Sequence, residues 1–535
     1  MFIRKPKNAT TYKLDQALRH GDHRRPLSRR EFIAQGFMAG MGTALGGSLL
    51  SLFANPRAAF AALSSDIDID GCNIALSGAG KIPFICFDLA GGANIAGSNV
   101  LVGQRGGQRD FLTTAGYSKQ GLPGDRIPSL VNPASGSNDF VDTSLGLAFH
   151  SESAMLRGIL EKARAAAVTT NGAVLPARSE NDTGNNPHNP MYGINRVGAD
   201  GQLVTLVGSR SSESGGNSMA PMAMINPEVR PTKVDRPTDV TGLVDVGDLV
   251  GLFSQDETVA VMESMFRISQ SKMGRISTGT GNDAAIKDLA RCVYGKSASL
   301  ADQFGVPSAL DPAIDPDIVG ANGIFSSAEF LGDGEFRKTA SIMKLVVNGF
   351  AGAGTVTMGG YDYHTGDRAT GELRDLRAGR CIGACLEYAA RKNTPLMVYV
   401  CSDGSVFSNG MTDESVDGAG KGVWTGDNQQ TAASFFLVYN PGRLPVLLGA
   451  TPEQEALHQQ LGYMRPSGDV ETASSPGANN VNLLVEMVIL NYMALHGEQG
   501  NFGNFFPLNG LGSASGWDNY TAFEPIVNGV ITNPV

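Results

Sequence analysis

Residues 354–404 determine the fold and read GTVTMGGYDYHTGDRATGELRDLRAGRCIGACLEYAARKNTPLMVYVCSDG. The apolar segment Gly354–Met358 precedes a helical pattern over 369–392 and a second apolar segment, Leu396–Cys401. Strands that alternate with helices of ten or more residues require crossover connections, and such connections produce parallel sheets. Since neither strand alternates strictly between apolar and polar residues, both faces of the sheet are predicted to be covered by helices. The stretch therefore predicts an α/β fold with a mostly parallel sheet.

Apolar segments elsewhere predict further elements of the same domain. Pro83–Leu89 and Leu203–Val207 are predicted strands, and Phe435–Tyr439 is predicted to be another strand of the parallel sheet. The 3.6-residue period predicts helices over Phe336–Phe350 and Val481–Leu495. Further helical patterns lie at about 149–166, 256–271 and 284–299.

The chain divides into three parts by composition. We predict a signal peptide over 1–61 and one α/β domain over 62–465. Loops rich in Pro and Gly, together with helical stretches, predict an insertion in this domain at about 211–330. Residues 466–535 are rich in Gly and Asn apart from one apolar helix, so we expect this segment to pack on the core.

The charge distribution excludes nucleic acid as an expected partner. The chain has 535 residues, with 42 Lys and Arg against 52 Asp and Glu. The first 61 residues carry 10 of the basic and 3 of the acidic side chains, so the rest is strongly acidic. Nucleic-acid affinity arises mainly from neutralising phosphates with Lys and Arg. Residues 62–535 have fewer basic than acidic side chains, so they are a poor match for nucleic acid.

The N-terminus predicts bacterial export. Arg29 and Arg30 with Phe32 resemble the twin-arginine signal, which the twin-arginine export machinery reads. An uncharged run then extends from Phe32 to Ala54, diluted by several glycines. We therefore expect the protein in the periplasm or outside the cell.

A small-x-small sequence, with Ala59 and Ala61 at its small positions, follows the uncharged run and predicts cleavage by signal peptidase. The alternative is a retained anchor, because the run is long enough to cross a bilayer. No later segment is long and apolar enough to span a membrane, so none is expected in the mature protein.

Acidic side chains and one imidazole follow the predicted strands. In open α/β sheets, ligands bind beyond the carboxyl ends of the strands. Asp362 and His364 follow one strand, Asp403 follows the next, Asp88 lies at the end of a third, and Asp427 lies in a Gly-rich loop. Such groups suit a divalent metal such as Zn²⁺, Mn²⁺ or Ca²⁺. Alternatively, Asp362 caps the following helix and His364 packs against the crevice wall.

These motifs resemble a widespread, uncharacterised bacterial family that is exported by the twin-arginine route and has an alkaline-phosphatase/sulfatase-like core. Gly359–Thr365 and Cys401–Gly404 are similar to the family's strand exits. Leu89–Asn94, Leu147–His150 and Asn186–Asn189 are similar to three further family motifs. The resemblance implies an alkaline-phosphatase-like fold. It also implies metal-ligand roles for Asp362, His364 and Asp403, with His150 and His188 as further candidates.

The sequence departs from the family pattern at two positions where the family has metal ligands. Asn94 stands where the family has an acidic residue, and Thr425–Asn428 lacks the family's His, so that only Asp427 is left as a ligand there. These losses indicate a divergent or non-catalytic member that acts as a periplasmic or surface binding protein.

The alternative is a metal-dependent hydrolase of phosphate or sulfate esters. Such a hydrolase needs a nucleophile, which is usually a Ser or Thr beside the metal. Ser98 and Thr183 are the candidates, although neither lies in a diagnostic motif. The sequence leaves the choice between an enzyme and a binding protein open.

Overall fold

A seven-stranded mixed sheet organises the part of the chain that the structure describes. The structure is a computed structural model, and it describes residues 80–130, 138–179, 188–209, 220–243, 255–277, 283–284, 286–288, 290–291 and 310–527. The strands in chain order are β1 Phe84–Leu89, β2 Val141–Leu145, β3 Leu147–His150, β4 Thr170–Pro176, β5 Val204–Gly208, β6 Thr232–Lys233, β7 Ala351–Met358, β8 Leu396–Cys401, β9 Val406–Asp413, β10 Lys421–Asp427 and β11 Ala433–Tyr439.

The helices differ widely in length. Those with assigned bounds are α1 Thr114–Lys119, α2 Ala154–Lys162, α3 Met191–Arg196, α4 Pro237–Thr241, α5 Gln255–Met273, α6 Ser327–Gly332, α7 Gly334–Val347, α8 Arg368–Arg391, α9 Pro452–Gln459, α10 Val481–Leu495, α11 Phe502–Phe505 and α12 Ala514–Trp517. Short 3-10 helices lie at Ala167–Thr169, Pro476–Asn479, Gln499–Asn501 and Asp518–Tyr520.

The sheet has the order β4-β11-β8-β1-β7-β5-β6. The pairs β8–β1, β1–β7, β7–β5 and β5–β6 are parallel, as the alternation of strands and helices predicts. The central strand β1 is paired with β7 on one side and β8 on the other, with Asp88 opposite Thr357 and Cys401. The carboxyl ends of three neighbouring strands therefore meet at one edge of the sheet.

The direction of one strand differs from the prediction. Phe435–Tyr439 lies in β11, which is antiparallel to both β8 and β4, so the sheet is mixed. The reason is the connection: the chain leaves β8, forms the hairpin β9–β10 and returns without a crossover helix. Phe435 consequently pairs with Val400 near the carboxyl end of β8.

Apolar side chains cover both faces of the sheet. Ile85 and Phe87 of β1 point into one core, which also contains Ile342 of α7 and Ile382 of α8. Phe84 of β1 lies in the other core, which contains residues of α3 and α10. Burial of each large apolar side chain stabilises the fold by about 1.5–3 kcal/mol. These two cores fix the sheet between the helices.

Helix α8 packs unusually close to α2. A Cβ at Gly379 would lie 2.1 Å from the carbonyl oxygen of Met155, and one at Gly383 would lie 2.4 Å from that of Ile159. Real Cβ atoms do not approach so closely, so both positions require glycine at this packing distance. The close contact fixes the long helix that begins directly after the predicted metal-binding loop.

The helix predicted at 149–166 is shorter than expected. Leu147–His150 forms strand β3, and the side chain of Ser153 accepts a hydrogen bond from the amide of Leu156 to cap α2. An N-cap of this kind defines where a helix begins. The apolar run before Ser153 therefore belongs to a β-hairpin rather than to the helix.

The insertion and the C-terminal segment are described in part. The helix predicted at 256–271 is confirmed as α5, whereas most of the one predicted at 284–299 lies outside the described residues. Helix α10 lies in the same core as α3. In the described part of the chain, no helix combines the length and apolarity that a membrane span requires. The predicted signal residues Arg29, Arg30, Phe32, Ala59 and Ala61 lie outside the described residues.

Candidate metal centre at the carboxyl edge of the sheet

The loop that joins β7 to α8 carries two of the predicted ligands. Its backbone is attached to the end of β1, since the amide of Tyr361 donates to the carbonyl of Ala90 at 3.1 Å. Gly91 has φ +118°, and a Cβ there would lie 2.7 Å from the amide nitrogen of Asp362. Glycine at this position therefore lets the loop after β1 pack against the ligand-bearing loop.

Alternating burial points the two ligands of this loop toward the surface. The side chains of Tyr361 and Tyr363 are fully buried, whereas those of Asp362 and His364 are 58% and 29% exposed. The hydroxyl of Tyr361 donates to the carbonyl of Arg374 at 2.9 Å. The backbone turns tightly at Asp362, where the amide of Tyr363 donates to the carbonyl of Tyr361 at 3.0 Å. The turn buries both tyrosines and leaves the side chains of Asp362 and His364 together at the surface.

The hairpin β9–β10 supplies the third side chain. Asp427 is the last residue of β10 and pairs with Val406, the first residue of β9. The amide of Asn428 then donates to the carbonyl of Ser405 at 2.9 Å. These contacts hold the base of the hairpin, and with it Asp427, beside the carboxyl end of β8.

Asp362, His364 and Asp427 converge on one another. Nε2 of His364 lies 2.8 Å from Oδ1 of Asp362 and 3.8 Å from Oδ2 of Asp427. One ligand atom from each of the three lies within 4.8 Å of the other two. No other group of His, Cys, Asp and Glu side chains in the described residues meets this criterion.

The donor set fits a divalent cation. Metal–ligand bonds of about 2.0–2.6 Å place the ligand atoms of one ion within roughly 5 Å of each other, as observed here. Imidazole with two carboxylates suits Zn²⁺ or Mn²⁺, whereas Ca²⁺ prefers oxygen ligands alone. Since all three side chains are partly exposed, water or a ligand can approach the same point.

Asp403 is not part of this group. Its side chain is fully buried, and Oδ1 accepts a hydrogen bond from the amide of Gly91 at 2.6 Å. The chain turns inward after β8, so the carboxylate faces the loop after β1 rather than the exposed edge. Asp403 thereby joins the ends of two neighbouring strands.

Two further predicted ligands also lie in the interior. Asp88 is 1% exposed near the end of β1. Asn94 is fully buried, and its side-chain Nδ2 donates to the carbonyl of Ala96 at 2.8 Å. Its backbone amide donates to the hydroxyl of Tyr363 at 2.8 Å. Asn94 thus supports the ligand-bearing loop.

His150 is held by backbone contacts. The amide of Glu152 donates to its Nδ1 at 3.2 Å, so Nε2 carries the proton and donates to the carbonyl of Arg126 at 2.7 Å. The ring stacks on Phe140 with centroids 5.5 Å apart. Burial lowers the pKa of His150 to about 4, so the ring is neutral and structural at neutral pH.

His188 occupies a different environment. It is buried, and neither ring nitrogen has a hydrogen-bond partner among the described residues. Burial lowers its pKa to about 4. The candidate nucleophile Thr183 lies outside the described residues.

Ser98 is buried, and its hydroxyl forms hydrogen bonds within the fold. It is 1% exposed, its hydroxyl donates to the carbonyl of Gln120 at 3.0 Å, and it accepts from Nη1 of Arg368 at 3.1 Å. Ser402 behaves similarly, since its hydroxyl donates to the carbonyl of Leu89 at 2.6 Å. Neither hydroxyl is placed to attack a substrate at the exposed edge.

A buried ion network, which the sequence analysis did not predict, begins at the first residue of α8. Arg368, Glu372 and Lys421 are at most 8% exposed and bond to one another. The four-residue spacing of Arg368 and Glu372 at the start of a helix is a recognisable ion-pair pattern. The position of Lys421 depends on how the hairpin docks, which sequence spacing does not reveal.

Glu372 and Lys421 also line a cleft of about 710 Å³. Its other charged residues are Arg126, Asp142, Glu152, Arg157 and Asp417, so both signs of charge are present. None of the three candidate ligands lines it. The cleft is therefore distinct from the metal centre.

Comparisons with known proteins give no relative. No protein-family model matches the chain, and no match is found among curated proteins or solved structures.

Proposed function

We propose that this chain is an exported protein that binds a divalent cation through Asp362, His364 and Asp427 and acts as a periplasmic or surface binding protein. The observation that carries the proposal is the convergence of these three side chains within 4.8 Å at the carboxyl edge of the sheet. Zn²⁺ or Mn²⁺ is the expected ion because the set contains an imidazole.

The burial of Ser98 and Ser402 favours binding over a covalent mechanism that uses either serine. A hydrolase that forms a covalent intermediate needs an activated nucleophile beside the metal. Ser98 and Ser402 donate their hydroxyl protons to backbone carbonyls and are buried. In the described part of the chain, the exposed cation site is thus better suited to hold an anionic or neutral oxygen ligand than to present a serine to an ester.

The second candidate is a metal-dependent hydrolase of phosphate or sulfate esters. It is favoured by the exposure of the three side chains, which leaves room for water and substrate. A bound divalent cation would supply Lewis acidity and lower the pKa of a coordinated water. In this chain, Asp362 and Asp427 would orient that water, and His364 would complete the set of protein ligands.

Export is supported by the N-terminal sequence. Arg29, Arg30 and Phe32 resemble a twin-arginine signal, and Ala59 and Ala61 mark the expected cleavage site. That route exports folded proteins, so the cation site can assemble before translocation. The excess of acidic residues in the body supports partners other than nucleic acid.

The test combines metal content with activity. The protein isolated from the periplasm is analysed for bound metal, and turnover of an aryl phosphate and an aryl sulfate is measured with added Zn²⁺, Mn²⁺ or Ca²⁺. Asp417 is an exposed acidic residue at the tip of the hairpin, so Asp417→Asn is the matched control for Asp427→Asn.

A cation bound without turnover supports the binding protein, and a cation bound with turnover supports the hydrolase. A wild-type protein that binds none of the three ions would overturn both candidates. Loss of the cation in both Asp427→Asn and Asp417→Asn would count against a specific role for Asp427.

A further inference from the structure

We propose that Arg368, Glu372 and Lys421 are positioning residues for the cation site, because their buried ion network holds the two ligand-bearing segments together. This inference rests on the proposed function and names the part of the molecule that controls cation affinity. None of the three belongs to the candidate ligand group.

The site is built from two segments that are distant in sequence. Asp362 and His364 lie on the loop before α8, whereas Asp427 ends β10. The segments meet at one backbone hydrogen bond, which the amide of Gly366 donates to the carbonyl of Trp424 at 2.8 Å. A displacement of either segment would separate Asp427 from the other two ligands.

Trp424 is the contact point between the two segments. Its side chain is almost fully buried. The guanidinium carbon of Arg368 lies 4.6 Å from the centroid of its ring, and the ring of Tyr363 lies 6.5 Å away. Tyr363 stands between the two loop ligands, so Trp424 touches both the loop and the first residue of α8. A cation over a buried indole stabilises this arrangement.

The ion network adds further bonds across the same junction. Nη2 of Arg368 donates to Oε1 of Glu372 at 2.5 Å, and Nζ of Lys421 donates to Oε2 at 2.8 Å. Nη1 of Arg368 also lies 3.4 Å from the carbonyl of Gly422 on β10. One carboxylate on α8 therefore joins the helix to the first residue of β10.

The network is expected to keep its charges. Burial raises the pKa of Glu372, but the charges of Arg368 and Lys421 outweigh this effect and lower it below the ordinary value. The carboxylate therefore stays ionised at neutral pH. Removing one partner of a buried network leaves another charge uncompensated, so the network resists separation of α8 from β10.

A role in positioning differs from a role in stability alone. Residues that orient metal ligands without touching the ion typically change metal affinity about 10- to 100-fold when they are replaced. Arg368→Lys keeps the charge but removes the planar fork that bonds several partners and stacks on Trp424. Arg380→Lys is the matched control, since Arg380 lies on the same helix and pairs with Glu161 at the surface.

The experiment measures Zn²⁺ affinity and the visible spectrum of the Co²⁺-loaded protein, which reports coordination geometry. We expect Arg368→Lys to weaken Zn²⁺ binding by about 10- to 100-fold. Its Co²⁺ spectrum should move toward that of Asp427→Asn, because Asp427 is displaced. Arg380→Lys should bind Zn²⁺ and Co²⁺ like the wild type.

Trp424→Phe provides a second variant if Arg368→Lys does not fold, and the same loss of affinity and spectral shift are expected. Wild-type affinity and an unchanged spectrum in the folded variants would overturn the positioning role while leaving the cation site intact. A wild-type protein that binds neither Zn²⁺ nor Co²⁺ would overturn the proposed function and this inference together.

Discussion

The hydroxyl of Tyr363 donates a hydrogen bond to Oδ1 of Asp375, with 3.3 Å between the two oxygens. Tyr363 separates the ligands Asp362 and His364, and Asp375 lies inside α8. Oδ2 of Asp375 accepts a second bond, from Nδ2 of Asn99 at 2.7 Å. The exposed centre is therefore anchored to a buried carboxyl group.

This carboxyl group predicts a pH-dependent stability. Burial, together with the charge of Glu372, raises the pKa of Asp375 from 3.8 to about 7. Because the pKa is raised in the folded state, its contribution to stability is complete below pH 3.8 and is lost as pH rises through 7. The loss is on the order of 4 kcal/mol.

Urea unfolding of the wild type and Asp375→Asn between pH 4 and 8 measures this effect. As pH rises, the free energy of unfolding of Asp375→Asn should increase relative to that of the wild type. The difference between the two should become constant above pH 7. A difference that does not change with pH would show that Asp375 titrates normally.

His150 predicts the opposite pH dependence of stability, a loss of stability as the pH falls. Burial lowers its pKa from 6.5 to about 4, so its contribution is present above pH 6.5 and is lost as pH falls through 4. The loss is about 3 kcal/mol. In urea titrations, His150→Gln should be less stable than the wild type at pH 7, and the gap should narrow toward pH 4. A constant gap would contradict the shifted pKa.

Gly91→Ala should disturb both the fold and the cation site. The new Cβ would lie 2.7 Å from the amide nitrogen of Asp362, at a φ of +118° that disfavours alanine. We expect a loss of about 1–3 kcal/mol in unfolding free energy and weaker Zn²⁺ binding. Gly349→Ala is the control, since its φ is +72° but nothing lies within 4 Å of the added carbon. Equal effects in both variants would refute a specific contact with Asp362.

The buried cysteines should resist a thiol reagent. Cys381 and Cys385 are fully buried on α8, and burial raises the pKa of Cys381 to about 12. A thiolate is the reactive form, so neither should react in the folded protein. The measurement uses Cys72→Ser/Cys292→Ser, which removes the two cysteines outside the described residues. Rapid labelling of Cys381 or Cys385 in the native variant, located by peptide mapping, would contradict the packing of α8.

The twin-arginine assignment is tested by a conservative change. Arg29→Lys/Arg30→Lys keeps the positive charge of the signal but removes the arginine pair. We expect the precursor to accumulate inside the cell by fractionation, whereas Arg24→Lys/Arg25→Lys should be exported normally. Normal export of the first variant would refute this route.

The central strands could be predicted from sequence because each is a short apolar run. β1, β7 and β8 begin and end close to the predicted residues. The direction of β11 could not be predicted in the same way, since it depends on whether the connection contains a crossover helix. Likewise, Leu147–His150 is apolar enough for a helix, and only its pairing with β2 makes it a strand.

The candidate site was predictable where it depends on local geometry. The spacing of Asp362 and His364 by two residues predicts that they lie together, and the structure brings them together through a tight turn, in which the amide of Tyr363 donates to the carbonyl of Tyr361. Asp403 turned inward because the turn after β8 sets its direction. Lys421 joined Glu372 only through tertiary docking of the hairpin, which no spacing in the sequence encodes.

The most direct test is anomalous diffraction at the zinc edge from crystals of the mature protein grown with Zn²⁺. We expect one strong peak bonded at about 2.0–2.2 Å to Nε2 of His364 and to carboxylate oxygens of Asp362 and Asp427. A peak among Asp88, Asp403 and His188, or no ordered peak in the protein, would contradict the cation site.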